Sequence, residues 1–308
     1  MKVSGTGLTS PDGYAYGPGM MLVPVIGQKV SADSIYAVVN KLASETGIQV
    51  RSAATSLMKD FDLGHFYNQT VKEPKVAILS GGRMPSGVSG SLWYLMDNRF
   101  QMKPTLLDDE KLGRADLSKY NVLILPGEPS GGEPVEKKIT EWVNNGGTLI
   151  TIGNAYKFAN KTKLTDIQIK KLAEPDSAIY TAYDKRADYT DKFTIPGTDL
   201  RVQLDTKHPL GWGYTDSIMP VMKNSTLVFD MPKEVNKCPV WYDKNDPLLS
   251  GFLRADHKKS LTGMPEVICE TAGKGRVISF ADDLNFRSTW YAGTRMFMNA
   301  VFFGNLIR

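Results

Sequence analysis

The sequence predicts a doubly wound, mostly parallel α/β sheet, and three observations carry that reading. Two apolar runs, Asn121 to Leu125 and Thr148 to Ile152, are rich in β-branched residues and leucine, as strands buried on both faces are. Between them, in EPVEKKITEWVNN, the residues Val135, Ile139, Trp142 and Val143 recur at helical spacing, with Gly146 placed to stop the helix. Upstream the same alternation begins with PKVAILSGG, and strand-helix-strand repetition of this kind argues for parallel crossover units.

Taken in order, residues 1 to 18 are rich in Gly, Ser, Thr and Pro and read as loop. MMLVPVI (Met20 to Ile26) is a candidate strand, demoted toward an edge by Pro24. Ser31 suits an N-cap for a helix with Ile35, Val38, Val39 and Leu42 on one face, closed by Gly47. IQVRSAATSL offers a second strand, so residues 20 to 70 read as a small β-α-β-like lead-in. Lys75 to Ser80 is the first buried strand of the main body. A helix over about 89–100 then puts Leu92, Trp93, Leu95 and Met96 inside, and Lys103 to Leu107 forms the next strand, ending on Asp108, Asp109 and Glu110. After the central unit the pattern loosens over about 156–237. That stretch holds helical signals at Thr165 to Leu172, a run of tyrosines, FTIPGTDLRVQLD and HPLGWGYTD, and it reads as a cap over the sheet edge. Regularity returns in TLVFD, CPVWY, PEVICE and GRVISFADD, and a last helix, Tyr291 to Ile307, packs Met296, Phe297, Ala300 and Val301. The boundaries that follow are 1–72 for the lead-in and 73–308 for the main domain.

Composition narrows the function classes. The 308 residues are 42% hydrophobic and 23% charged, enough apolar material for a large core. The formal charge is +4, but Lys and Arg are scattered among the acids with no basic run, which argues against a nucleic-acid or membrane-surface partner. No apolar run approaches the ~20 residues of a membrane span. The two cysteines, Cys238 and Cys269, lie in strand-like segments and read as buried thiols, with one disulfide left open if the compartment is oxidising. The amino terminus lacks the apolar core of a signal peptide and reads like a loop entered midway, as in a fragment of a longer protein.

Candidate chemistry is sparse. The three histidines, His65, His208 and His257, form neither an HxxE nor a helical pair, so no metal site and no cofactor is expected. The carboxyl edge of the strand Thr148 to Ile152, where open α/β sheets bind ligands, offers Gly153-Asn154-Ala155 and no nucleophile. Ser80-Gly81-Gly82 could present amides as an anion nest, although such turns need Gly and Ser for geometry alone. Asp108 and its neighbours suit a site or a helix entry equally in type, the helix entry being preferred. In ADDLNFRSTW, Arg287 paired to Asp282 or Asp283 under Trp290 would form a buried anchor or a carboxylate- or sugar-binding patch. Trp212 and Tyr214, close after His208, could stack on a sugar or simply cover the core.

The motif order EPKVAILSGG, SLWYLMDNRF, DLSKYNVLILPGE, WVNNGGTLITIG, PGTDLRVQLDTKHPLGWG and GKGRVISFADDLNFRSTW resembles one family. It is the class I glutamine amidotransferase-like domain found C-terminal to the catalytic domain of bacterial zinc carboxypeptidases of the carboxypeptidase A type. YGPGMMLVPV through DLGH is similar to the joining segment there, so the resemblance spans about 16–308. It implies a three-layer, flavodoxin-like fold and export to the periplasm or outside the cell. It also implies an N-terminal peptidase domain as partner. The family's catalytic cysteine would fall at Gly153, Asn154 and Ala155, a degenerate elbow. No histidine follows His257, and the peptidase's zinc ligands belong to the preceding domain. The resulting expectation is a non-catalytic accessory domain that supports the peptidase or binds a ligand. The alternatives are a stand-alone glycan- or peptide-binding module and a hydrolase using Ser80 with His208. The candidate ligand-contacting set is Ser80, Gly81, Gly82, Asp108, His208, Trp212, Asp283 and Arg287.

Overall fold

The computed structural model describes Met1–Arg308 and divides it into two units, Met1–Lys72 and Glu73–Arg308. The first unit contains β1 (Lys2–Ser4), β2 (Leu8–Thr9), β3 (Ala15–Tyr16), β4 (Met21–Leu22), α1 (Ala32–Thr46) and β5 (Asn68–Thr70). Here the structure corrects the expected β-α-β lead-in. β1, from the segment read as loop, is the centre of an antiparallel sheet ordered β4-β1-β5, and residues 48–57 form no strand. Pro24 has no N–H to give a ladder, and the Met20–Ile26 run pairs only over β4. α1 has the expected ends: the Ser31 hydroxyl accepts the Ser34 N–H at 3.2 Å, and Gly47 closes the helix at φ 70°.

The second unit holds β6 (Val76–Ser80), α2 (Ser86–Tyr94), β7 (Thr105–Asp108), β8 (Val122–Leu125), α3 (Gly132–Asn144), β9 (Thr148–Ile152) and α4 (Tyr156–Lys161). It continues with α5 (Arg186–Asp191), β10 (Thr198–Leu204), β11 (Ile218–Lys223), β12 (Val240–Tyr242), β13 (Leu248–Ser250) and α6 (Ala255–Leu261). The chain ends with β14 (Pro265–Ala272), β15 (Gly275–Phe280) and α7 (Thr294–Phe303). One ten-stranded sheet runs β11-β10-β12-β14-β15-β9-β8-β6-β7, with β13 paired to β10. Strands β7-β6-β8-β9-β15 are parallel, and numbered among themselves they follow the flavodoxin-like order 2-1-3-4-5. The other half is antiparallel. β14 and β15 are joined by Gly273-Lys274 alone, too short for a crossover, so the direction reverses there.

Side chains alternate across the parallel strands, which gives three layers. Ile78, Ile124 and Ile150 pack with Leu92 of α2 and Phe297 of α7, while Leu79, Leu123 and Leu149 pack with Ile139 of α3 and Phe158 of α4. Trp93, expected inside, is 43% exposed; Leu92, Leu95 and Met96 fill the core in its place. The segment expected as a cap, 156–237, instead extends the sheet with β10 and β11. The helix expected at Thr165 to Leu172 does not form. Lys170 N–H bonds Val228 O at 2.9 Å and Asp230 N–H bonds Gln168 O at 2.8 Å, so ladder-type bonding to 228–230 replaces helical bonds.

Candidate functional site

The parallel strands β6, β8, β9 and β15 all end at one edge of the sheet. Two reversals beyond β15 bring β12, and two more bring β11, back to the same direction. The ends of β11 and β12, the start of β14 and the turn after β15 therefore meet at this edge. They deliver Lys223, Tyr242, Glu266 and Asp282, all buried.

These four side chains form one hydrogen-bonded cluster. Lys223 Nζ lies 3.0 Å from Asp282 Oδ1 and 3.1 Å from the Tyr242 hydroxyl, and donates to Leu227 O at 2.6 Å. The Tyr242 hydroxyl is 2.5 Å from Glu266 Oε2 and 2.7 Å from Asp282 Oδ2. Asp282 N–H donates to Glu266 Oε1 at 3.2 Å, and Ser225 Oγ reaches Asp282 Oδ1 at 3.4 Å. Burial, reinforced by the Asp282 charge, pushes the Glu266 carboxyl well above its ordinary range, and burial likewise raises the Tyr242 phenol. Next door, Asp283 is half-buried and desolvation raises its carboxyl to about 6, although the Asn285 N–H donates to it at 3.1 Å.

A cavity of about 320 Å³ opens beside this cluster, lined by Ser225 and Leu227 from the cluster's side and by Asn154 and Tyr156 from the turn after β9. At that turn Gly153 takes φ 55° and Gly153–Ala155 form a 3-10 turn leading into α4. Asn154 is exposed there, and no thiol or hydroxyl occupies the turn. Both cysteines are buried and unpaired, and burial raises both thiols, that of Cys238 to about 12, which favours the protonated thiol in each.

The structure separates the other sequence candidates. Ser80, Gly81 and Gly82 lie at the end of β6 beside the end of β7. Gly81 and Gly82 take φ 71° and 52°, and a Cβ on Gly82 would come 2.9 Å from Asp109 Oδ2. Asp108 caps its own 3-10 turn, accepting Glu110 N–H at 3.0 Å, and the Lys111 ammonium at 3.2 Å holds its carboxyl low. Asp109 accepts Ser130 N–H at 2.8 Å ahead of α3, the helix-entry role. His208 lies beyond the end of β10, which runs against β6, and so at the opposite edge of the sheet. It is also six strand positions from β6, roughly 29 Å. It cannot serve Ser80 as a base. Its Nδ1 accepts Leu210 N–H at 3.2 Å, and burial lowers the imidazole to about 4.

Trp212 is core, 5% exposed and packed on Phe303 at 5.2 Å, and Tyr214 bonds Ala292 O at 2.9 Å. Neither is free to stack on a sugar. Arg287 is exposed over the Phe286 ring at 5.0 Å and makes no pair with an aspartate, which corrects the expected anchor. The residues that sequence reasoning missed are Lys223, Tyr242 and Glu266. The available signal was an ionisable residue inside otherwise apolar strand patterns, MPVMK and PEVICE.

No family model matches the chain, and no curated protein sequence matches it. Among solved structures, a ThuA-like protein from Parabacteroides merdae aligns with 74% of this chain and 89% of its own, at 14% identity and a TM-score of 0.49. PurLQS from Thermotoga maritima aligns over 74% and 97% at 10% identity and a TM-score of 0.45. A β-galactosidase from Bacillus circulans sp. alkalophilus aligns over 76% and 31% at 12% identity and a TM-score of 0.40.

Proposed function

We propose that this chain is a non-catalytic accessory domain of the glutamine amidotransferase-like type, working beside a zinc carboxypeptidase domain. The observation that carries the accessory role is the apolar surface of the first unit. α1 buries Ile35, yet Val38 and Leu42 on the same face are 58% and 52% exposed. Ile26, Val30, Ile48 and Val50 are exposed in the same unit. So many wet aliphatic side chains in one small unit suit a surface that another domain covers. The turn Gly153-Asn154-Ala155 supports the non-catalytic half of the reading, because it offers no group able to attack an amide. In this reading the protein is exported together with its peptidase domain.

The test begins with the DNA upstream of Met1, where the reading expects an in-frame domain carrying HxxE. Expressed together, the two domains should co-purify, and Val38→Asp with Leu42→Asp should separate them. The purified chain should release no ammonia from glutamine. An upstream frame without such a domain overturns the carboxypeptidase association, and glutaminase turnover overturns the non-catalytic role.

A further inference from the structure

We propose that the 320 Å³ cavity between the turn after β9 and the segments 169–175 and 225–228 binds a small organic anion, a carboxylate or phosphate monoester with a short apolar body. The inference goes beyond the docking role and does not rest on it. The cavity lies at the edge where open α/β sheets take their ligands, and its volume falls at the lower end of the range for small-molecule sites.

Three independent features of the wall select the ligand. Tyr156 is 5% exposed, its ring held edge-on against Phe229 at 5.5 Å, and its hydroxyl has no partner in the protein. A phenol with no protein partner at the cavity wall is free to donate its hydrogen bond to a bound ligand. Burial also raises this phenol, so at neutral pH it keeps its proton and can donate it in a hydrogen bond.

Charge is the second feature. Lys157, Lys170 and Lys171 line the cavity against a single carboxylate, Glu174, and none of the four sits in an ion pair. Lys170, half-buried, has only Met264 Sδ near its ammonium, at 3.9 Å. The lining residues thus carry an excess of two positive charges, none of them held in an ion pair, which favours an anion and disfavours an amine. The third feature is apolar: Leu172 and Val228 are buried into the wall beside Phe193, giving the ligand's body a dry surface.

The experiment uses the whole purified chain and four probes: phenylacetate, phenyl phosphate, 2-phenylethanol and benzylamine. Calorimetry gives the affinities, and the methyl resonances of Leu172, Leu227 and Val228 report the place. One or both anions should saturate with shifts at those methyls, at least about tenfold more tightly than the alcohol or the amine. Which anion is preferred distinguishes a carboxylate ligand from a phosphate ester. Tyr156→Phe and Lys170→Met should each weaken the anion about fivefold or more, the loss of one hydrogen bond or one charge. Lys137→Met, on α3 and off the cavity wall, should change nothing. Both substitutions leave the packing atoms largely in place, so folding is retained. The proposal fails if the alcohol binds as well as the anions, if neither variant weakens binding, or if no anion saturates below about 1 mM.

Discussion

Lys223, Tyr242, Glu266 and Asp282 are compatible only with one distribution of protons. The Tyr242 hydroxyl has a single proton but lies within hydrogen-bond distance of two carboxylates. One of those contacts must come from a protonated carboxyl donating to the phenol oxygen. Asp282 already takes Lys223 Nζ and Ser225 Oγ, so it is the anion, and Glu266 is the acid. The cluster is then neutral overall, as burial demands. Glu266→Gln should therefore cost about 1 kcal/mol or less, since the amide can donate to Tyr242 and accept from Asp282 N–H. Lys223→Met should cost about 3–5 kcal/mol by leaving Asp282 buried and unpaired. Because the folded-state pKa of Glu266 is raised, its contribution is full below the unfolded value of about 4.3 and is lost as pH rises through the folded one. Urea titrations across pH should show that alkaline loss in the wild type and not in Glu266→Gln. His208 has the opposite sign. Lowered to about 4, it contributes stability that is present above pH ~6.5 and lost as pH falls toward 4, about 3 kcal/mol in all. His208→Asn, which can still cap Leu210 N–H, should flatten that acid limb; an unchanged limb would show that His208 is not its source. At this scale the sequence was least informative. Glu266 and Lys223 are ordinary letters in strand-like runs until four strand ends bring them together, whereas His208 stands out as one of three histidines but its burial is not legible in the sequence.

At the scale of elements, legibility followed the length and purity of the apolar runs. β6, β8 and β9 pair with two strand neighbours each, and their near-continuous Val, Ile and Leu runs announced them almost to the residue. Thr165 to Leu172 failed because its helical signal was weak and polar, and the backbone of 228–230 offered it strand bonds. Strand direction beyond β15 was also hidden, since apolar runs look alike in parallel and antiparallel pairs. The feature that decided it was the two-residue turn Gly273-Lys274. Gly273 sits at φ 56°, and a Cβ there would come 2.8 Å from both Cα and O of Asn144, the last residue of α3. Lys274 N–H donates to that same Asn144 O at 2.9 Å, so the turn is docked on the helix end as well as closed on itself. Gly273→Ala should lose about 1–2 kcal/mol from the left-handed backbone alone, plus the cost of moving α3 away. Gly263→Ala, at φ 75° but facing only the flexible Lys244 side chain, separates the two contributions. Equal losses in the two variants would refute the docking of this turn.

Across the whole molecule the two units differ sharply in what they bury. The second unit encloses two layers of core on either face of a ten-stranded sheet, with Ile78, Leu123, Ile150 and Phe297 all at or near zero exposure. The first unit, Met1–Lys72, buries only four large apolar side chains: Val3, Leu8, Ile35 and Met58. Its strands are two or three residues long, and α1 leaves most of its surface in water. A segment of that size with so few buried side chains has little to offset its conformational entropy. Opening of residues 1–72 should therefore be sub-global. In native-state hydrogen exchange, amides of α1 and β5 should exchange at least about a hundredfold faster than those of β6, β8 and β9, a gap of roughly 3 kcal/mol. The strands of the parallel half should exchange only with global unfolding. Equal protection in both units would mean that the first unit shares the stability of the second, and the exposed aliphatic face of α1 would then need no covering domain. If the gap is present and a covering domain is added, the amides of α1 should gain protection first. Val38 and Leu42 leave the water in that complex, whereas the cores of the second unit are already complete.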